Sequence, residues 1–426
     1  MICLMPMCAY LSETSRMIQI YKALKAQGAR VCMATHGGVH EALLRNEGID
    51  FDIVGPRMDE ARGHRFVGDN VGVGSPDQSM YSPDEMRAYV LAEADYFNRK
   101  GISAAVTGFT LTALLSTRLA GIPLITEHAG AFIPPLFERN LLPAPSTAPV
   151  PLFNYLPKML ARRLLNKTVA GRKLYLSGYH ALAAELGMAP IPSFPALLLG
   201  DLVLVTEAPE VYGVSEQDMS SWRPRGDAYW PTTRFEYTGP LFAEFDLPVP
   251  PEIEQALQRS GPTIYVALTS TSAELVRRVV RAAVSSDANV IVAGTVHDIS
   301  DLAAANVTVG GVLPSHKIMP RVDLAITMGG QGSVQCAMAA GVPLIGIPLH
   351  REQDSNVHFL EKRGAARLLP LGGINSDGIQ RLCKEMLSSH SYRTAARSIQ
   401  AAYAERNGPE LCASAIRRYL SARQAA

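Results

Sequence analysis

Asp323-Leu-Ala-Ile-Thr-Met-Gly-Gly-Gln-Gly-Ser333, with Val334-Gln-Cys-Ala-Met-Ala-Ala340, Gly341-Val-Pro343 and Leu344-Ile-Gly-Ile-Pro348 behind it, decides the fold. An apolar run enters a glycine-rich turn, and a helix-like segment leaves it. Gly341 to Pro343 stops that segment, and Leu344 to Ile347 reads as the next buried parallel strand. A strand, a glycine turn and a helix start gather unpaired N–H groups and a positive dipole end at one point, which suits a phosphate or diphosphate. Just past the next strand lies Glu352-Gln353-Asp354-Ser355-Asn356, a polar cluster at a strand's carboxyl end, where doubly wound sheets hold ligands. The stretch implies a phosphorylated ligand with a polyhydroxy group beyond it. For the glycines alone, a tight turn that binds nothing stays open.

The glycine turn, Gly341-Val342-Pro343, Pro348 and the later Glu352, Gln353 and Asn356 stand at fixed distances. Together they resemble the nucleotide-sugar signature of the UDP-glucuronosyltransferases and antibiotic (macrolide-type) glycosyltransferases. The resemblance is detailed over about 265–369 and weaker, though collinear, over the N-terminal half. It implies a type B glycosyltransferase fold, α/β with two facing Rossmann-like domains and parallel sheets. It also implies that Met328, Gly329, Gly330, Gly332 and Ser333, with Thr269 and Ser270, hold the donor diphosphate. Leu313 and Pro314 would back the nucleobase, and Glu352 and Gln353 would bind the sugar. A carboxylate beside an amide can both accept from and donate to a diol. Two positions depart from the family pattern. Met328 replaces a His, and a thioether donates no hydrogen bond; Cys336 replaces a ribose-binding Glu.

The first half opens on a strand, Ile2 to Met7, then a polar turn 11–15 and a helix over 16–27 closed by Gly28. Strands are expected at 29–35, 50–54, 104–107 and 124–127, a helix at 110–120, and a loop across 55–82. In the second half, strands are expected at 263–268, 288–293, 307–309, 324–327 and 344–347, with helices at 274–284, 376–388 and 409–422. Alternating strands and helices give a doubly wound parallel sheet. The resulting division is 1–238 as an acceptor-binding domain, 239–251 as a Pro-rich linker, and 252–408 as the donor domain. The last segment, 409–426, is a helix expected by resemblance to return to the first domain.

Relatives carry a His–Asp dyad in the first domain, the His being the base for the acceptor hydroxyl. Counting back from Gly28 puts Glu13 at the His and Arg16 at a Pro; the Asp corresponds to Thr107 or Gly108. Glu13 is therefore the candidate base, provided its pKa is raised, with His128 in reserve. The alternative for Glu13 is a carboxylate serving the helix dipole. Residues 132–199 would shape the acceptor pocket. Within them Lys158, Arg162, Arg163, Lys167, Arg172 and Lys173 decorate an apolar pattern at Leu156, Leu160 and Leu164. Such a helix could touch an anionic membrane surface or an anionic acceptor, or simply pack one side on the domain.

The 426 residues suit two domains, and 47% apolar against 19% charged residues gives ample core material. A net charge of +1 points to no nucleic acid. Six cysteines without metal spacing read as reduced core residues of a cytoplasmic protein, and no metal or cofactor is expected. The expectation is an inverting transferase moving a sugar from a UDP- or dTDP-donor to a small, partly hydrophobic acceptor. An epimerase or hydrolase of the same fold, or a catalytically silent homologue partnering another transferase, are the alternatives. No oligomeric state is assigned.

Overall fold

The computed structural model describes residues 1–68, 80–144, 155–173, 175–244, 247–268, 271–294 and 298–425. Two sheets carry the architecture, and every paired strand in both runs parallel. The first comprises β1 (Ile2–Leu4), β2 (Val31–Thr35), β3 (Phe51–Ile53), β4 (Ala104–Thr107), β5 (Leu124–His128), β6 (Leu202–Val205) and β7 (Arg234–Tyr237), in the order 3-2-1-4-5-6-7. The second comprises β8 (Thr263–Ala267), β9 (Asn289–Ala293), β10 (Val307–Gly310), β11 (Leu324–Thr327), β12 (Leu344–Gly346) and β13 (Ala366–Leu368), in the order 10-9-8-11-12-13. This is the two-Rossmann layout expected from the sequence. Helices cover both faces, so the central strands are apolar runs rather than alternations; β11, Leu-Ala-Ile-Thr, is wholly buried between β8 and β12. In each sheet the winding reverses beside the first strand, between β1 and β4 and between β8 and β11. Ligands of doubly wound sheets bind at the strands' carboxyl ends there; Glu13 follows β1 and Gly329 to Ser333 follow β11, at these two points.

Several local expectations are corrected. The polar stretch 11–15 is the first turn of helix Leu11–Ala26, not a turn before it. An N-terminal turn has free N–H groups and tolerates Ser, Glu and Thr, so polarity alone did not mark the boundary. Part of the expected loop 55–82 is a helix, Glu60–Gly68, and its 69–79 portion lies outside the described residues. Strands β6, β7 and β13 and helix His390–Ala404 were not foreseen. The strands span only three or four residues each, too short for a period to register.

The chain crosses between the sheets twice, at one place. A Cβ on Gly408 would meet the Pro240 carbonyl oxygen at 1.9 Å, and Gly239, at φ +80°, lies against the Arg406 side chain. Beyond this crossing, helix Gly408–Ala425 lies on helix Leu11–Ala26. Gln27 Nε2 donates to the Glu410 carbonyl and to Ser414 Oγ, each at 3.2 Å. Cys412, Ala413, Ala415 and Ile416 complete the apolar cluster of Ile2, Leu4, Met17 and Leu24. The last helix thus belongs to the core of the first sheet.

Candidate active site

The glycine turn separates into one residue required by the fold and two that are not. Gly329 has φ +83°, and a Cβ there would meet Val357 Cγ2 at 2.5 Å and the Gln353 carbonyl oxygen at 2.9 Å. Its carbonyl accepts from Asn356 Nδ2 at 3.1 Å, and its N–H donates to Thr327 Oγ1 at 3.0 Å. Gly330 and Gly332 have ordinary φ; a Cβ on Gly332 would meet nothing within 4 Å, and one on Gly330 only Ser333 Oγ at 3.9 Å. The helix Gln331–Ala339 has no side-chain cap, and Val334 N–H to the Gly330 carbonyl is its first recorded bond. The N–H groups of residues 331–333 therefore have no partner among the described residues and lie at the positive end of the dipole. Ser333 Oγ donates to the Gly330 carbonyl at 2.9 Å, which leaves its lone pairs facing outward as acceptors and not the hydroxyl proton. Met328 is a correction to the expected diphosphate contacts: its side chain is packed in the core with Val266, Leu324 and Ile326, so only its main chain is on offer. Cys336 is likewise a core residue. Thr269 and Ser270 lie outside the described residues, while Ser272 just after them caps helix Ala273–Val284. Leu313 is buried beneath Gly310, and Pro314 starts the short helix Ser315–Ile318.

Helix Arg351–Lys362 starts at the carboxyl end of β12 and carries the sugar candidates. Gln353 Oε1 accepts from Leu349 N–H at 2.8 Å, which fixes its amide and leaves the NH2 without a bond among the described residues. Glu352, half-buried, accepts from Asn356 Nδ2 through Oε1 at 3.2 Å and keeps Oε2 free. One donor and one acceptor remain side by side, as a diol requires.

Across the crevice the first domain presents a buried charged cluster. Glu13 is 2% exposed; its Oε2 accepts from Met7 N–H at 2.7 Å, and its Oε1 from Gly108 N–H at 2.9 Å and Phe109 N–H at 3.2 Å. It therefore ties together the loops after β1 and β4, and a single lone pair on Oε2 is left. Burial pushes its pKa up to about 7, against the pull of Arg16 and of the Gly108 N–H. Arg16 Nε pairs with Glu127 Oε2 at 2.7 Å. Burial opposes the charge of Arg16, but Glu127, Glu13 and, from the other domain, Glu352 outweigh it and raise its pKa. His128 Nδ1 accepts from Gly130 N–H at 2.8 Å, so the neutral ring carries its proton on Nε2. Burial lowers its pKa further. The imidazole presents an N–H donor, not the free lone pair that a base needs.

The two halves are joined through the turn itself. Gln331 Nε2 donates to Thr206 Oγ1 at 2.7 Å and to Glu127 Oε1 at 3.2 Å, while Thr206 Oγ1 donates to the same oxygen at 2.6 Å. One turn on, Gln335 Nε2 donates to the Thr206 carbonyl and to Glu207, and Tyr403 OH also donates to Glu207. Burial pushes Glu207 up to about 7. Arg16, Glu127, Thr206, Glu207, Gln331 and Gln335 were missed from sequence, yet a signal existed. β5 and β6 both run out into Thr-Glu, at 126–127 and 206–207, and polar residues closing an apolar parallel strand sit where ligands bind. Among the described residues no group of three or more His, Cys, Asp or Glu could hold a metal, and no helix is long and apolar enough to cross a membrane.

Known proteins resemble this chain in sequence and in fold. Residues 277–417 match the family described as the erythromycin biosynthesis protein CIII-like C-terminal domain. The PGL/p-HBAD biosynthesis glycosyltransferase of Mycobacterium tuberculosis is 27% identical over 326 residues, covering 76% of this chain and 72% of the relative. The glycosyltransferase VinC in complex with dTDP superposes with a TM-score of 0.67 at 14% identity, covering 99% of this chain and 100% of that one. The spinosyn rhamnosyltransferase SpnG complexed with spinosyn aglycone gives 0.65 at 15% identity, covering 98% and 99%. At such identities the two structures carry the fold alone.

Proposed function

Because this chain is a glycosyltransferase and belongs to the macrolide-type UDP-glycosyltransferase family, we propose that it moves a sugar from a UDP- or dTDP-donor to a hydroxyl of a small, partly hydrophobic acceptor, with inversion. The observation that carries this reading is the pair of glycines, Gly330 and Gly332, that nothing in the chain itself requires. They border three helix-terminal N–H groups that have no partner among the described residues, the donors a diphosphate would take. These N–H groups bind the departing diphosphate, and as fixed dipoles they need no reorganisation when charge develops on it. Glu352 Oε2 and the Gln353 NH2 hold the sugar so that its anomeric carbon faces the first domain. On that side Arg16 and Glu127 form a charged floor, and the remaining Oε2 lone pair of Glu13 takes the acceptor proton. His128 Nε2–H orients the acceptor oxygen as a donor. Relatives named for dTDP and aglycone complexes support a nucleotide donor and a small-molecule acceptor. The cytoplasm, where nucleotide sugars are made, is the proposed location.

The test is a donor screen by calorimetry followed by acceptor profiling. UDP- or dTDP-sugars should bind, and nucleotide should be released only when an acceptor hydroxyl is supplied. Nucleotide release at the same rate without acceptor would overturn transfer in favour of hydrolysis or epimerisation.

A further inference from the structure

Helix Lys158–Thr168 turns the wrong face outward for a globular surface. Ala161 and Asn166 are buried against the domain, whereas Met159, Leu160 and Leu164 are 67, 51 and 38% exposed, and Tyr155 just before them is 86% exposed. These are four of the nine large apolar side chains that stand exposed among the described residues, gathered within ten positions. At helical spacing Met159, Arg163 and Lys167 form one outward ridge and Leu160 and Leu164 the next, so cations and apolar groups share a single face. Residues 155–173 hold six cations, Lys158, Arg162, Arg163, Lys167, Arg172 and Lys173, and no acidic residue. None of the six has an ion-pair partner among the described residues, although paired Arg and Lys are common elsewhere on the surface.

We propose that this face docks on an anionic lipid membrane surface, with the apolar side chains entering the headgroup region and the exposed cations Lys158, Arg163, Lys167 and Lys173 pairing with lipid phosphates. A second copy of this chain would set cations against cations, which disfavours self-association here. The position of the helix relative to the crevice gives docking a purpose. Asn166 exchanges two hydrogen bonds with Leu142, donating to its carbonyl at 3.0 Å and accepting from its N–H at 3.1 Å. The next residue, Pro143, accepts from Arg351 Nη2 at 3.1 Å, beside Glu352. A lipid-dissolved acceptor would therefore arrive at the mouth of the crevice. That delivery rests on the proposed transfer reaction, while the docking itself does not.

The full chain is sedimented with vesicles of phosphatidylcholine alone and of phosphatidylcholine mixed with phosphatidylglycerol. It should partition onto the mixed vesicles, less so at high salt, and hardly onto neutral ones. Arg163→Ala with Lys167→Ala should weaken partition roughly fivefold per cation removed. Leu160→Glu with Leu164→Glu should abolish it, and both variants should keep the melting temperature and turnover of a water-soluble acceptor. Equal binding to neutral vesicles, or unchanged binding by the variants, would overturn docking. So would a concentration-dependent dimer that Leu160→Glu with Leu164→Glu dissolves, since the face would then belong to a second copy. Vesicle binding intact with turnover of an acidic soluble acceptor lost would assign the cations to the acceptor, again against the proposal.

Discussion

The donor side and the acceptor side of the crevice are built on opposite plans. On the donor side, Gly329 to Ser333 and Glu352 to Asn356 span fewer than thirty residues of one βαβα run, and most of their bonds are local, such as Gln353 to Leu349 N–H and Ser333 to the Gly330 carbonyl. On the acceptor side, Glu13, Arg16, Gly108, Glu127 and Thr206 come from four separate strand ends, and Gln331 reaches them from the other domain. A site of main-chain N–H groups and open space can lose its ligand without losing its fold. A site of buried charges cannot lose one of its own members in the same way, because each charge is stabilised only by its partners.

The sharpest test of this contrast is Glu13→Gln. A general base contributes about 10²–10⁴-fold to rate, so turnover should fall by that order. Glutamine also turns an NH2 toward a backbone N–H that now donates to a carboxylate oxygen, so stability should fall by roughly 1–3 kcal/mol. The pH profile separates the two effects. Turnover by the wild type should fall as pH drops through about 7, because the base must be ionised. Since the folded pKa lies above the ordinary 4.5, the stability Glu13 contributes is present below about 4.5 and lost as pH rises through about 7. Per folded molecule, near-normal turnover in Glu13→Gln would leave Glu13 as a tie between two loops only.

Next in size, Arg16→Met should cost about 3–5 kcal/mol in urea unfolding, since Glu13 and Glu127 would stay buried without their cation. A loss below about 1 kcal/mol would show that the cluster is more hydrated than its burial implies, and would break the contrast. Gly332→Val should do the reverse: the melting temperature holds, because nothing lies within 4 Å of the new Cβ, while UDP or dTDP affinity falls about ten- to hundredfold through lost hydrogen bonds to a charged group. Gly329→Val, by contrast, should destabilise the fold. Unchanged nucleotide affinity in folded Gly332→Val would remove the diphosphate from this turn. The smallest effect is expected for Gln353→Ala, about fivefold weaker binding of the intact donor, equivalent to one hydrogen bond of about 1 kcal/mol, with the free nucleotide diphosphate unaffected. Equal losses for both ligands would move Gln353 away from the sugar.

The sequence by itself determined the two parallel sheets, the glycine turn and the polar cluster after β12, because each is written in consecutive residues whose period and turn chemistry act locally. It also marked Glu13, which lies at a strand end near the start of the chain. It did not reveal that Glu13 has little more than one lone pair left, that His128 presents a donor, or that Met328 turns into the core. Nor did it join Gln331 to Thr206 and Glu127, residues 125 and 204 positions away. Those features depend on which strand ends the winding brings together, and on burial that makes a charge or a lone pair dependent on its neighbours. Both are properties of the packed chain, so only the tertiary structure decided them.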